Sequence, residues 1–297
     1  ICTNVSYGGN YIVTASNPEG PWSEPYYIEG ADGIDPSLFF DEDGKCYYIG
    51  THPNPEGCKY DGDWYIWIQE LDVKTMKLVG EHKNVWNGAM KNIVWPEGPH
   101  LYKKGEYYYI MCAEGGTGYN HCVTMGRSKN VWGPYEKDPK NPIVTSVPGE
   151  SYERQDPDHL KPKYYNPDSV LQKSGHGSYV ELPTGEVYLV HLCARPFVPE
   201  LRCTLGRETA IQRMEWTEDG WLRMKDGGNL AQEFVEESSL PEAPVRPIPS
   251  HDDFDSGELG IQYYAPRIDP LSFVDLKVRP GWARLRGQES GCSLNKA

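Results

Sequence analysis

The sequence lacks the features that mark several common classes of protein. Apolar runs long enough for a membrane helix, roughly 20 residues, are absent. The first residues show neither the basic start nor the apolar run of a signal peptide. Basic residues are outnumbered, with 29 Lys and Arg against 43 Asp and Glu, and the net charge is −14. This charge argues against nucleic acid or an anionic membrane as a partner.

Closely paired cysteines are also absent. The eight cysteines are scattered without any C-x-x-C spacing, so structural zinc is not expected. Several lie within apolar strands, which favours reduced, buried thiols in a cytoplasmic protein. The even count leaves disulfides open as the alternative. The cysteines are Cys2, Cys46, Cys58, Cys112, Cys122, Cys193, Cys203 and Cys292.

Helix-period patterns are scarce, and turn formers and aromatic residues are abundant instead. The chain has 31 Gly, 25 Pro, 21 Tyr and 9 Trp in 297 residues, a composition typical of short strands joined by tight turns. The sequence therefore predicts an all-β fold. Aromatic side chains also suit the flat apolar faces of sugars, although most would fill a β core.

One pattern occurs three times along the chain. Each copy opens with an ionisable residue, continues through a short apolar strand, turns at a glycine and returns on an aromatic-rich strand. Repeats of this kind predict the blades of a propeller, with the opening residues at equivalent places near the central channel. Taken singly, each opening residue could instead be a turn or capping residue. The opening residues are Asp35, Glu97 and His176, and the turn glycines are Gly44, Gly105 and Gly185.

The repeats also predict the domain organisation. Ile1–Pro25 lines up with Ile110–Pro134, a segment that follows a hairpin in its own copy. We therefore expect the sequence to begin inside a blade whose inner strands are absent. Residues 1–237 would form the propeller, 238–250 a Pro- and Ser-rich linker, and 251–297 the incomplete start of a second β domain. Val147–Lys173 is predicted to be a long surface loop that either walls the site or is an idle insertion.

Five motifs in order resemble glycoside hydrolase family 43, and within it the β-xylosidase and α-L-arabinofuranosidase branch. The resemblance covers nearly the whole chain. It implies a five-bladed β-propeller, with the first blade largely missing here, followed by a C-terminal β-sandwich. The motifs are Gly33-Ile-Asp35-Pro-Ser, Glu97-Gly-Pro-His, Ala113-Glu-Gly-Gly-Thr117, Gly175-His176-Gly and Leu205-Gly-Arg207-Glu.

The resemblance also implies chemistry, since family members hydrolyse glycosidic bonds with inversion by means of three carboxyls. Glu97 matches the general acid, and Asp35 matches the auxiliary carboxylate that keeps the pKa of the acid high. His176, Arg207 and Thr117 match positions on the substrate side, although Arg207 could equally form a surface ion pair. No cofactor is required, but calcium binds beside the matching histidine in some members.

One expected part of the family pattern is missing. The general base of the family is an Asp in a Tyr-Pro-Asp-Pro-type motif of the first blade, and no such motif occurs in this sequence. A similar composition surrounds Asp156, Asp158 and Asp168, but these residues lie in the predicted loop Val147–Lys173. We expect the base to be absent together with the first blade.

Two functions remain open from the sequence. The first is hydrolysis of non-reducing-end xylose or arabinofuranose from xylan-derived or arabinose-substituted oligosaccharides by a homo-oligomer or a monomer. The alternative is an inactive carbohydrate-binding propeller or an inert fragment. A scaffolding propeller would not need carboxyls at the inner strand starts of two blades.

Overall fold

The computed structural model builds the chain almost entirely from β-strands and turns, which confirms the all-β prediction. The chain divides into two compact units, Ile1–Ser239 and Leu240–Ala297. Within the ranges that the structure describes, no helix is long and apolar enough to cross a membrane. Those ranges are residues 1–5, 8–90, 95–147, 164–243, 249–260, 262–263, 265 and 268–287.

The described residues of the first unit form four antiparallel sheets, and the first of them is the smallest. Its strands are β1 (Cys2–Asn4), β2 (Gly9–Ile12) and β3 (Tyr26–Tyr27), paired in that order. In the described residues β1 pairs with β2 and with no second strand. The order of pairing matches that of the later strands to which Ile1–Pro25 aligns in sequence.

The other three sheets each begin with a hairpin and add strands in chain order. The second sheet contains β4 (Ile34–Phe40), β5 (Cys46–Pro53), β6 (Trp64–Asp72) and β7 (Lys77–Trp86). The third contains β8 (Glu97–Lys104), β9 (Tyr107–Glu114), β10 (Cys122–Ser128), β11 (Glu136–Lys137) and β12 (Val144–Thr145), the last two both pairing with β10. The fourth contains β13 (Gln172–Glu181), β14 (Val187–Ala194), β15 (Glu208–Trp216) and β16 (Leu222–Met224).

Three glycine turns close the hairpins that open these sheets. Gly44, Gly105 and Gly185 have φ angles of 85°, 59° and 84°. This left-handed region costs glycine little and other residues considerably more. The turns join β4 to β5, β8 to β9 and β13 to β14, so the three predicted hairpins are confirmed.

Each sheet packs its face against the next sheet in chain order. Ile12 and Trp67 lie between the first and second sheets, Ile49 and Ile110 between the second and third, and Leu189 with residues of β9 and β10 between the third and fourth. Burying one such side chain contributes about 1.5–3 kcal/mol. The first unit is therefore a propeller-like arrangement of four blades. We predicted five blades with the first largely missing, and the first sheet does lack a fourth strand among the described residues.

The long connection before the fourth sheet differs from its prediction. Residues 148–163, which include Asp156 and Asp158, lie outside the described residues. The described end of the connection is not a surface loop: Tyr164, Asn166 and Leu171 are buried. The amide of Gln172 donates to the carbonyl oxygen of Asn166 at 2.7 Å, so this end is fixed by internal hydrogen bonds.

The second unit contains little regular structure in its described part. It has a single 3₁₀ turn at Pro270–Ser272 and a two-stranded sheet of β17 (Val274–Asp275) and β18 (Arg284–Leu285). The segment around Asp252, at the start of the predicted second β domain, is irregular. Phe254 in it has a φ of 53°, which does not fit an extended strand.

The described cysteines are all free thiols. Cys46, Cys112, Cys122 and Cys193 are buried, as predicted for strand residues. The prediction of buried thiols is wrong for Cys2 and Cys58, which are exposed, and Cys203 is partly exposed. Cys292 lies outside the described residues.

Candidate active site

The first strands of the second, third and fourth sheets share an irregularity near their starts. In each, the pairing register shifts, as it does at a β-bulge, which bends the strand and re-aims its side chains. The pairs that flank the shift are Ile34–Thr51 and Ser37–Ile49 in the second sheet, and Glu97–Ala113 and His100–Met111 in the third. In the fourth sheet there are two shifts, between Gln172–Ala194 and Gly175–Leu192 and between Gly175–Leu192 and Gly177–His191.

The bulges of the second and third sheets have the same register. Each contains one residue with a positive φ, Asp35 at 52° and Gly98 at 55°, so Gly98 is the counterpart of Asp35. Strand β13 shifts twice and has a positive φ at Lys173 (58°) and at His176 (48°), so it has no single counterpart. Our prediction that Glu97 shares the position of Asp35 is wrong by one residue, since Glu97 occupies the position of Ile34 in the register.

Contacts nevertheless bring the predicted residues together. The backbone N–H of Gly98 donates to Oδ2 of Asp35 at 3.1 Å. The His176 ring lies against Gly98 so closely that a Cβ on Gly98 would be 2.4 Å from its Nε2 atom. Asp35 and His176 therefore both meet the residue that follows Glu97.

Two hydroxyls fix the backbone on either side of Glu97. Oγ1 of Thr51 donates to the carbonyl oxygen of Pro96 at 2.6 Å, and Oγ of Ser37 donates to that of Pro99 at 2.6 Å. Both bonds join the second sheet to the third. They hold the Glu97 segment against the strand that carries Asp35.

Glu97 is electrostatically distinct from an exposed glutamate. Burial raises the pKa of Glu97 to about 7, the negative Asp35 carboxylate adds to the rise, and the Arg207 guanidinium opposes it. Arg207 is itself exposed, in the turn before β15, and forms no ion pair with a described residue. The structure thus places Arg207 within electrostatic range of Glu97 and does not support the surface ion pair.

Sequence reasoning missed two imidazoles beside these residues. Burial, followed by the neighbouring His176, lowers the pKa of His100 to about 4 and that of His121 to about 3. Nδ1 of His121 lies 3.0 Å from the carbonyl oxygen of Lys173. Both rings are neutral at pH 7. His100 stood in a motif already singled out, but nothing in the sequence indicated that His121 would converge on His176.

Thr117 lies apart from this cluster. It is exposed in the turn between β9 and β10, and no hydrogen bond to a described residue ties it to Glu97 or Asp35. The turn starts directly after β9, in which Ala113 pairs with Glu97, so Thr117 is four residues beyond the partner of the candidate acid.

Glu114, also missed in sequence reasoning, anchors the base of that turn. Its carboxylate is buried and accepts from the backbone N–H of Ala89 at 2.6 Å, that of Met90 at 3.0 Å and the hydroxyl of Thr124 at 2.7 Å. It therefore ties the end of β9 to β10 and to the segment after β7. Glu114 belongs to the Ala113-Glu-Gly-Gly-Thr motif, but the motif did not indicate its structural role.

The donor set beside His176 does not fit calcium. Calcium prefers six to eight oxygen ligands, mostly carboxylates and carbonyls. The neighbours established for His176 are Gly98 and two imidazoles, and among the described residues no group of three or more His, Cys, Asp or Glu is arranged to hold a metal ion.

Comparison with known proteins agrees with the arrangement of strands and residues. The sequence profile of Glycosyl hydrolases family 43 matches residues 2–222. A xylosidase/arabinosidase of Butyrivibrio fibrisolvens is 44% identical over 292 residues, which are 96% of this chain and 52% of that protein. A non-reducing end α-L-arabinofuranosidase of Bacteroides ovatus is 37% identical over 296 residues, or 98% of this chain and 50% of that protein.

Solved structures give the same picture. The crystal structure of a xylan β-1,4-xylosidase from Bacillus halodurans has a TM-score of 0.82 and 45% identity, covering 94% of this chain and 50% of that chain. The present chain thus spans about half the length of the relatives it matches.

Proposed function

The chain belongs to glycosyl hydrolase family 43, and we propose that the whole protein removes terminal xylose or arabinofuranose from the non-reducing ends of xylan-derived oligosaccharides. The names of its relatives, xylosidase/arabinosidase and α-L-arabinofuranosidase among them, support this substrate class. The observation that carries the proposal is a half-buried Glu97 whose pKa is raised to about 7, in part by Asp35.

We propose that Glu97 is the general acid. With a pKa near 7, a substantial fraction of its carboxyl is protonated at neutral pH. That proton passes to the glycosidic oxygen as the bond between this oxygen and the anomeric carbon breaks, so the leaving sugar departs as a neutral alcohol. An ordinary exposed glutamate would already have lost the proton.

Asp35 is the modulating carboxylate in this proposal. Its negative charge disfavours ionisation of Glu97, and the N–H of Gly98 holds it in place. The charge of Asp35 thus acts together with burial in keeping the proton on Glu97.

Hydrolysis with inversion needs a third carboxyl. It must activate water on the opposite face of the sugar, with a separation from the acid of roughly 6.5–9.5 Å. The first sheet has counterparts of β9, β10 and β11 but, in its described residues, none of the bulged first strand that contributes Asp35 or Glu97 in other sheets. We propose that this strand, with the general base on it, belongs to a part of the protein beyond these 297 residues.

The outer face of the fourth sheet supports the same proposal. Val190 and Ile211, which pair directly across β14 and β15, are exposed there, as is Val180 on β13. In the other sheets this face is covered by the next blade. We propose a fifth blade completed by strands outside this chain, and a C-terminal β-sandwich that includes the second unit.

The substrate-side residues have roles that follow from their chemistry. Arg207 and the imidazole of His176 can hydrogen-bond the hydroxyls of the sugar whose bond is broken, and the hydroxyl of Thr117 would do so from its turn. We propose a cytoplasmic protein that assembles from identical copies and requires no cofactor.

The incomplete first sheet favours a second candidate for this chain alone. The 297-residue chain alone would be an inactive carbohydrate-binding propeller. Among the described residues, Asp35 is the only carboxylate that affects the pKa of Glu97. The two candidates concern different lengths of the protein and are separated by one assay.

That assay measures release of nitrophenol from nitrophenyl β-xyloside and nitrophenyl α-arabinofuranoside. It compares the 297-residue chain, the complete protein and a Glu97→Gln variant of each. We expect Glu97-dependent turnover only in the complete protein. Turnover of the complete protein that survives Glu97→Gln would contradict the acid role. Glu97-dependent turnover by the 297-residue chain would show that the general base lies within it.

A further inference from the structure

We propose that Gly98 is a positioning residue that seats both the Asp35 carboxylate and the His176 imidazole around Glu97. This inference rests on the proposed function of those three residues. It goes beyond that function by assigning a task to a residue with no side chain. In register, the position is the one that Asp35 occupies in the second sheet.

Two features of Gly98 carry the proposal. Its N–H donates to Oδ2 of Asp35 at 3.1 Å. Its missing side chain leaves room for the His176 ring, since a Cβ would lie 2.4, 2.6 and 2.7 Å from Nε2, Cδ2 and Cε1 of that ring. Real Cβ atoms do not approach that closely, so any other residue would displace the ring or the strand.

The backbone conformation of Gly98 explains why the position suits glycine. Its φ of 55° comes from the bulge that begins after Glu97. Asp35 and His176 adopt similar angles in their own bulges at some conformational cost. In the third sheet this position has no side chain, which leaves room for the His176 ring. Gly98 thus contacts Asp35 and His176 at once while being bonded to Glu97.

Displacement at Gly98 should therefore disturb chemistry as well as packing. If the strand moves, its N–H no longer holds Asp35 near Glu97, and the contribution of Asp35 to the raised pKa of Glu97 weakens. If the ring moves instead, a sugar-binding group is lost. Misplacement by about 1 Å at a catalytic constellation can cost about 10²-fold in rate.

The chain offers two matched controls for Gly98→Ala. Gly105 lies in the same hairpin with a φ of 59°, and a Cβ there would meet no heavy atom within 4 Å, so Gly105→Ala reproduces the backbone strain alone. Gly126 on β10 reproduces the crowding, because its Cβ would lie 2.5 Å from Cζ3 of Trp86 in the core.

The first arm measures kcat/KM against pH in the complete protein. We expect Gly98→Ala to lower kcat/KM by about 10- to 100-fold and to move the high-pH limb of the profile to lower pH. Gly105→Ala should keep both the rate and the limb. Gly126→Ala should lower the unfolding midpoint without moving the limb. A Gly98→Ala enzyme that differs from Gly105→Ala in neither rate nor limb would overturn the proposal.

The second arm needs no activity and uses the 297-residue chain. The denaturant midpoint is measured for Gly98→Ala, His176→Ala and the double variant. Because removal of the ring removes the clash, Gly98→Ala should lower the midpoint less in the His176→Ala background. Additive losses would contradict the contact. If Gly98→Ala alone fails to fold, recovery of folding in the double variant supports the proposal and continued failure contradicts it.

The two arms also separate this inference from the proposed function. Turnover that survives Glu97→Gln would contradict the proposed function. The comparison of unfolding midpoints would still decide whether Gly98 positions His176. Glu97-dependent turnover combined with additive midpoints removes only the role of Gly98.

Discussion

Two glutamates on neighbouring strands of the third sheet have opposite surroundings. Glu114, at the end of β9, is buried with three hydrogen-bond donors on its carboxylate, from Ala89, Met90 and Thr124. Glu97, at the start of β8, pairs in register with the residue just before Glu114. Its carboxyl accepts no hydrogen bond from a described residue, and the nearest charge that shifts it upward is another carboxylate, Asp35.

The difference shows how the surroundings of one residue type set its protonation. Burial raises the pKa of both carboxyls, but the donors around Glu114 oppose the rise and favour its ionised form. Around Glu97 the Asp35 carboxylate adds to the rise. A carboxylate whose oxygens accept several hydrogen bonds holds neighbouring segments together. A carboxyl that lacks such donors keeps its proton to higher pH and can donate it.

Replacing Glu97 should have the largest effect. In the complete protein we expect Glu97→Gln to lower kcat for xylosides with poor leaving groups by about 10²–10⁴-fold, because the leaving oxygen is no longer protonated. Activated aryl glycosides need less protonation and should lose less. Steady-state kinetics on both substrates measures the contrast, and an equal loss on the two would argue against the acid role.

Replacing Asp35 tests the charge that distinguishes Glu97 from Glu114. Asp35→Asn removes a negative charge, so the pKa of Glu97 should fall and the high-pH limb of kcat/KM should move to lower pH. Each unit of that fall costs about tenfold in the protonated acid at high pH. The pH profile of the complete protein measures the shift. A limb that stays in place would mean that burial alone sets the pKa of Glu97.

The stability of the 297-residue chain should record the same pKa. Glu97 titrates near 7 in the folded state against an ordinary value of 4.5, so the folded state binds the proton more tightly in this window. The free energy of unfolding should therefore fall as pH rises from 4.5 to 7, by up to about 3 kcal/mol from this group. Urea unfolding of the unmodified chain and Glu97→Gln measures it. The difference between the two chains should grow across this window, and a constant difference would contradict the raised pKa.

Glu114→Gln should separate the structural glutamate from the catalytic one. Its amide nitrogen would face N–H groups that need an acceptor, so we expect a loss of about 1–3 kcal/mol in the free energy of unfolding. Urea unfolding gives the loss, and the pH profile of the complete protein provides the comparison with Asp35→Asn. The high-pH limb should stay in place. A limb that moves would place Glu114 among the groups that set the pKa of Glu97.

Metal removal should have the smallest effect. The established neighbours of His176 are imidazoles and a glycine, which suit calcium poorly. We expect kcat/KM of the complete protein to be unchanged after treatment with EDTA. A loss that added calcium restores would return the ion to the mechanism.

Much of the fold followed from local patterns. Gly44, Gly105 and Gly185 between apolar runs marked three hairpins, since a left-handed turn is a local property of the chain. The sequence predicted a second β domain from residue 251, but the described segment around Asp252 is irregular and belongs to no sheet. The buried end of the long connection was missed because Asn166 and Gln172 look polar, and their burial depends on bonds to each other.

The proximity of three candidate residues was predicted, but the register of their strands was not. Asp35, Glu97 and His176 were identified from the start of each repeat, and the structure brings them to one place. The equivalence failed at Glu97 because each strand shifts register within a bulge, and the alignment of repeats did not show where that shift occurs. Gly98 was overlooked for the same reason, and His121 because its neighbours come from another blade.

The sequence by itself determined an all-β chain of repeated hairpins with ionisable residues at their starts. Strand alternation and glycine turns depend on residues that are neighbours in the sequence. Only the tertiary structure decided that Glu97 has a raised pKa without hydrogen-bond donors from the described residues, while Glu114 accepts three hydrogen bonds. The pKa of Glu97 depends on Asp35, and the bonds of Glu114 depend on Ala89, Met90 and Thr124. These groups are distant along the chain, and only the packing of one sheet on the next brings them within reach.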